Sequence, residues 1–430
     1  MKRPVLIVGV EPRITIPIAR SLHRHGVPVE VASLTDSEAR LRSRAVSDFI
    51  RLPESDLQMG HSAGVNEFLT ELISQRRYDM LIPATDAALS LVSAHDAGLR
   101  ELLHVACPSP QVVNRILDKS LTLDFARKAG IRVPSTYRVS NVAELEAISN
   151  QLRFPVVAKP YHKSSETDFK VRYFPTFDNL RQALMDDREL GSRILLQEFA
   201  EGDGVGIEML MHDGKPIATF QHRRLKEVPA SGGAAAVAIA ETPEPTLVDQ
   251  AVTLLRALEW EGVAMVEFRY DRARRQSSLM EVNGRYWGTL ALAIQAGVDF
   301  PWYQWQVAHS ETPEVPASYS VGARWRWSAG YIRRWHGLAA SSAKRAFRRP
   351  GVIKDLVPSW EDLSVRDALW DAADPIPAIS ETLRQLRNLV TADAVSAWRK
   401  MGLRRGRTEK QSGTEQPPVD LAAKKDNLGA

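Results

Sequence analysis

The residues best placed to do chemistry lie in two neighbouring stretches, VEFRYD (Val266–Asp271) and EVNGRYWGT (Glu281–Thr289). In the second, Glu281, Asn283 and Arg285 stand at i, i+2 and i+4, so a regular strand turns all three to one face. The first contributes Glu267. A loop over Arg272–Gln276, with Asp271 facing Ser277, sets Glu267 opposite Glu281, Phe268 opposite Met280 and Val266 opposite Val282. One face of this hairpin is then apolar, and the other carries two facing carboxylates. Like charges directly opposite on a sheet are destabilising, so a cation belongs between them. Two carboxylates and an amide oxygen are hard ligands that suit Mg²⁺, which takes few protein ligands and completes its shell with water and phosphate.

Cationic candidates lie upstream. Lys159 ends the apolar run FPVVAKP and Lys119 sits in Asp118-Lys119-Ser120 at a helix start; each reads as a point charge for a phosphate or as an ordinary surface lysine. Glu198 follows the buried run ILLQ, and GDGVG (Gly202–Gly206) reads as a turn. His222-Arg223-Arg224 is a basic triplet facing either an anion or solvent. No Ser-His-Asp arrangement and no zinc-ligand spacing is found, and Cys107, the single cysteine, excludes an intrachain disulfide.

These pieces have to be held by several domains. The chain has 430 residues, 44% hydrophobic and 25% charged, with a formal net charge of +4. That balance is ordinary for a globular protein and gives no reason to expect nucleic acid. VLIVGV (Val5–Val10) reads as a buried parallel strand, and further strands alternate with helices up to DMLIPATD (Asp79–Asp86). After the first strand comes Gly9-Val10-Glu11-Pro12 in place of G-x-G-x-x-G, which argues against a dinucleotide site. From about residue 114 strands and helices cease to alternate, as in an α+β domain. Beyond about residue 311 a Trp-rich run leads into a basic stretch (Arg333, Arg334, Lys344, Arg345, Arg348, Arg349). Ile379, Leu383, Leu386 and Val390 then recur at helical spacing. Polar, aromatic-poor sequence after residue 408 is expected to be disordered. There is no signal-peptide core and no apolar run long enough to span a membrane, so the expected location is cytoplasmic.

Taken in order, DKSLTLDFARKAGIRVPST, FPVVAKP, LLQEF, GDGVGIEML, VEF and EVNGRYWGTLALAIQAGVDFP resemble the ATP-grasp superfamily. The likeness is to its carbamoyl-phosphate-synthase-like carboxylate–amine ligases, over roughly 114–309. The resemblance implies an α/β and α+β architecture: a Rossmann-like pre-ATP-grasp domain (1–113) and a two-subdomain ATP-grasp domain (114–310). A small, mostly helical region (311–407) and a disordered tail (408–430) would follow. It implies that Lys119 and Lys159 hold ATP phosphates and that Glu198 and Phe199 lie at the adenine hinge. Glu267, Glu281 and Asn283 would ligate Mg²⁺ or Mn²⁺. Arg285, and with it Arg224, would lie near the reacting groups. For the ribose there is no clear counterpart; Glu201, Asp203 and Glu208 are candidates, and Glu208 is read as nucleotide-binding. The implied reaction is phosphorylation of a small-molecule carboxylate by ATP, followed by attack of an amine or similar nucleophile; a catalytically degenerate ATP-binding regulator is the alternative. One departure is Tyr161-His162-Lys163-Ser164-Ser165-Glu166-Thr167, where many relatives carry a glycine-rich phosphate loop. The acid, the nucleophile and the oligomeric state are not legible.

Overall fold

The computed structural model describes residues 2–34, 42–53, 63–160, 171–187, 190–230, 232–343 and 365–405. The expected disordered tail and the glycine-poor 161–167 stretch lie outside the described residues, as does most of the basic run from Lys344 onward. The chain divides into two compact units, one of residues 1–223 and 239–323, the other of 224–238 and 324–430.

The first unit opens with a five-stranded parallel sheet, ordered β3-β2-β1-β4-β5. Its strands are β1 (Val5–Val8), β2 (Val29–Ser33), β3 (Asp48–Arg51), β4 (Met80–Pro83) and β5 (His104–Val105). All four residues of β1 and of β4 are buried, because helices cover a parallel sheet and leave no face for polar side chains. The helix Pro12–Arg24 starts directly after β1, with Pro12 at its first position and the Glu11 side chain accepting from Arg13 N. The helix Asp86–Ala94 starts after β4, where the Thr85 hydroxyl accepts from Ala88 N. Glu11 and Asp86 therefore both stand at carboxyl ends of central strands.

A second sheet, ordered β6-β9-β7-β8, is antiparallel throughout. It comprises β6 (Thr136–Arg138), β7 (Val156–Pro160), β8 (Arg172–Phe174) and β9 (Ile194–Glu198). It has a hydrophobic core of its own, including Val139, Leu145, Val156, Leu180, Leu190 and Leu196. The short link after Glu198 leads into β10 (Asp203–His212), which pairs with β11 (Lys215–Val228) and β13 (Gly262–Asp271). β14 (Gln276–Asn283) closes this edge against β13. β11 leaves the first unit after Arg223, and β12 (Ala234–Glu241) re-enters it at Ile239.

Within the second unit, the ends of β11 and β12 continue to β15 (Arg324–Arg326) and β16 (Arg366–Asp367). The helices Ser328–Ala343 and Ile376–Arg405 follow the last strands. The periodic residues Ile379, Leu383, Leu386 and Val390 do lie on a helix, yet they are 48%, 60%, 42% and 68% exposed. The buried face is instead Ala378, Glu381 and Gln385. It tolerates a carboxylate because Arg384 forks onto both Glu381 oxygens at 2.8 Å and Gln385 donates to Oε1 at 3.2 Å. Among the described residues, no helix is long and apolar enough to cross a membrane.

Candidate active site

The β13–β14 hairpin has the facing acids that the sequence suggests: Glu267 pairs with Glu281 and Val266 with Val282. The route to that register differs. Asp271 faces Gln276, one residue earlier than expected, and Phe268 faces Leu279 in place of Met280. A β-bulge next to Glu267 takes up the odd residue and restores the alignment before the acids are reached. Asn283, two residues past Glu281, donates its amide Nδ2 to Glu281 Oε1 at 3.1 Å, which turns Oδ1 to be the atom left for a ligand.

The lysines converge on the same place. Lys159 lies at the end of β7, where its Nζ donates to Gln197 Oε1 at 2.7 Å; the Gln197 amide in turn donates to the Thr136 hydroxyl. Burial pushes the Lys159 ammonium down to about 8, against the pull of Glu281 and Glu267 and with a smaller push from Lys119. A cation belonging beside the two carboxylates is thus supplied by the protein itself. Lys119 opens the helix Lys119–Lys128, capped by the Asp118 carboxylate, and its Nζ reaches Pro160 O at 3.1 Å. Gln197 escaped sequence reading because a glutamine in a buried strand has no charge to mark it.

Arg285 follows β14. It forks onto Asp86 through Nε at 3.0 Å and Nη2 at 2.8 Å, while Nη1 donates to Tyr286 O. The turn that carries it is clamped on every side. A Cβ on Gly284 would come within 2.4 Å of the Trp260 ring, Tyr286 and Trp287 are fully buried, and Tyr286 Oη donates to Gln304 at 2.7 Å. At the end of the turn Thr289 donates to Glu208 Oε1 at 3.0 Å.

Glu208 is 0% exposed, its carboxylate is 2.8 Å from His222 Nδ1, and burial raises its pKa despite that neighbour. Through Oε1, which accepts from Thr289, it ties the Arg285 turn to β10. The pairing needs Gly206, since a Cβ there would lie 2.3 Å from the His222 ring. Glu198 and Phe199 stand where β9 gives way to the link into β10, with their N–H groups taken by Ser135 O and Pro155 O. Arg224 lies in the second unit, where Nη1 donates to Gly233 O at 2.9 Å and approaches Glu227.

The donor set fits a small hard cation. Two facing carboxylates and a carbonyl oxygen give few ligands. Among the described residues no cluster of three or more His, Cys, Asp or Glu side chains offers a complete protein cage. Such a site suits Mg²⁺ or Mn²⁺ bound jointly with phosphate and water, and not zinc.

The arrangement defines a class before any particular relative. A parallel α/β domain, a four-stranded module and an antiparallel sheet ending in an acid-bearing hairpin form an ATP-grasp fold. Residues 191–330 match the family described as ATP-grasp in the biosynthetic pathway with Ter operon, which bears out the ATP-grasp resemblance drawn from the motifs and overlaps its later part. Among solved structures, the L-amino acid ligase from Bacillus licheniformis superposes with a TM-score of 0.57 at 18% identity, over 71% of this chain and 74% of that one. Among curated relatives, the urea amidolyase of Lachancea kluyveri is 25% identical over 59% of this chain. The carbamoyl phosphate synthase large chain of Methanothermobacter thermautotrophicus is 22% identical over 56%. The chain spans only 14% and 24% of the lengths of those two proteins.

Proposed function

We propose that the protein is an ATP-dependent ligase that activates a small-molecule carboxylate as an acyl phosphate, for attack by an amine or similar nucleophile. The observation that carries this reading is the convergence of Lys119, Lys159, Glu267, Glu281, Asn283 and Arg285 from three separate parts of the fold. The names of the L-amino acid ligase and carbamoyl phosphate synthase relatives support the same class of chemistry.

Phosphoryl transfer asks a protein mainly to position its groups and to stabilise charge. Lys119 and Lys159 neutralise the ATP phosphates, while Glu198 and Phe199 line the adenine end at the link between the two sheets. Glu267, Glu281 and Asn283 hold Mg²⁺ or Mn²⁺, which when bound supplies charge neutralisation at the transferred group. Arg285 offers its remaining N–H groups to the transferred phosphoryl oxygens or the carboxylate. No side-chain nucleophile is required. Arg224 is kept as a candidate for substrate contact.

A screen of acid–amine pairs with Mg·ATP, read as release of ADP and phosphate, tests the proposal. A pair that releases ADP only when both partners are present supports it. Slow ATP hydrolysis indifferent to every acid and amine tried, in wild type and in Glu281→Gln alike, would overturn it.

A further inference from the structure

His222, the first residue of the basic triplet, has no part in the chemistry proposed above. Strand β11 separates it from Arg223, which turns to one side of the sheet and pairs with Glu241 Oε1 at 2.6 Å. His222 turns to the other side. Across the sheet, Glu281 faces Glu267, Glu267 faces Gly206 and Gly206 faces His222. Directly paired residues project to one face, so the imidazole shares the face of the two acids proposed as metal ligands. Gly206 contributes no side chain to this row, and the His222 ring lies over it.

There the ring meets Glu208, one pleat further along β10 on the same face. His222 is 1% exposed and Glu208 0%, with Nδ1 2.8 Å from Oε1, while Glu208 Oε2 and His222 Nε2 have no hydrogen-bond partner. A carboxylate buried so deeply is costly unless its charge is balanced, and the imidazole is the basic group in contact with it. Thr289 shows what the pair is for. It precedes the helix Leu290–Ala296, where a threonine hydroxyl ordinarily accepts from the first helical N–H groups. It makes no such capping bond, and its hydroxyl donates to Glu208 Oε1 at 3.0 Å instead. A helix start gives up its cap to fasten the turn that carries Arg285. Oε1 thus takes both the imidazole and the hydroxyl, which joins β11 through β10 to that turn.

We infer that His222 is a positioning residue for Arg285: by balancing the buried Glu208 carboxylate it keeps Thr289 fastened and holds the Arg285 turn in place. The inference rests on the reading of Arg285 as a contact for the transferred phosphoryl group. It gives the first residue of the triplet a role that neither an anion contact nor a solvated surface describes.

The test is the preference of the full-length protein for a non-hydrolysable, imido-bridged ATP analogue over ADP, each measured calorimetrically with Mg²⁺. This preference isolates contacts to the terminal phosphate, whereas loss of the fold or of the ADP contacts weakens both ligands alike. His222→Leu should lower it about tenfold, the worth of one charge-assisted hydrogen bond. Thr289→Val breaks the same link from its other end and should lower the preference to a similar degree. It carries the test by itself where His222→Leu does not fold. His222→Asn keeps an uncharged donor near the place of Nδ1 and should stay within about threefold of wild type. The decisive variant is His222→Leu combined with Glu208→Gln. A glutamine oxygen still accepts from Thr289 and leaves no buried charge to balance, so most of the preference should return. If His222 served only to fill the space above Gly206, the double variant would be no better than His222→Leu, and that result would overturn the inference. So would an unchanged preference in Thr289→Val. Arg285→Met separates the two levels. If it lowers the preference while His222→Leu and Thr289→Val do not, the positioning is refuted and the reading of Arg285 stands. If Arg285→Met leaves the preference unchanged, that reading falls and the inference with it. Urea unfolding of each variant without ligand shows which of them are folded.

Discussion

At the scale of single residues, the candidate site is a small cluster of opposite charges. Lys159 carries the clearest consequence. With its pKa lowered to about 8 by burial, a growing share of the protein has a neutral lysine as pH rises past that value. Phosphate binding favours the charged form, so ATP should draw a proton onto Lys159. Affinity for Mg·ATP should be flat below about pH 8 and then weaken by up to about tenfold per pH unit, because each lost proton must be replaced. Calorimetry in buffers of different ionisation enthalpy measures the proton uptake directly. Lys159→Ala should bind Mg·ATP at least about tenfold more weakly and lose this pH dependence, as one charge-assisted contact is removed. An unchanged affinity would remove Lys159 from the site. The acids behave as a unit. Glu267→Gln and Glu281→Gln should each abolish most turnover, and the double variant should be little worse than either, since both serve one cation. Facing carboxylates alone would suggest that neutralising one stabilises the empty protein. Lys159 already acts on both, so the apo unfolding midpoint should stay close to wild type instead.

At the scale of elements, the hairpin shows how far pattern reading reaches. The i, i+2 spacing of Glu281 and Asn283 holds on β14, while Arg285, read as the next residue on the same face, lies beyond the end of the strand. The bulge next to Glu267 was invisible because an extra residue leaves the period-2 alternation intact on either side of it. The Asp86 contact was invisible because nothing in a local window points 199 residues away. For Glu208 likewise, the pairing with His222 on the neighbouring strand is not marked in its own stretch of sequence. Gly206 provides the test of that pair. Gly206→Ala drives a Cβ into the His222 ring, and by overpacking it should cost about 1–3 kcal/mol in urea unfolding. Because Glu208 also holds Thr289, ADP affinity should fall with it. The C-terminal helix offers the opposite case. Its apolar residues recur at helical spacing, yet they lie on the exposed face, and polar residues satisfied by Arg384 occupy the buried side. Leu383→Ser should therefore change stability by no more than about 0.5 kcal/mol, as expected for an exposed position.

At the scale of the whole molecule, the parallel sheet and the antiparallel sheet of the first unit each contribute charged groups to one site, and the four-stranded sheet contributes Lys159. If the site binds nucleotide as proposed, the ligand should stabilise the protein globally. A concentration about 100 times Kd should add about 2.7 kcal/mol to the unfolding free energy when Mg²⁺ is present. A melting curve unmoved by Mg·ATP would contradict the assignment.

The four-stranded sheet has one more property that follows from its pairing. Its first strand lies antiparallel to its last, with Thr136 directly across from Gln197, so the chain enters and leaves this part of the protein at adjacent points. It also encloses its own core. Residues 136–198 thus have the layout of a cassette inserted into a host, closed at its base by one pair of strands. Such a segment can open without unravelling its surroundings. Amide hydrogens of β6, β7, β8 and β9 should exchange together, in a single cooperative event of lower free energy than exchange from β10 and β13. Nucleotide bridging Lys159 to the acids outside the cassette should slow that event, so that the ligand's grip is read in the exchange rate of a strand it never touches.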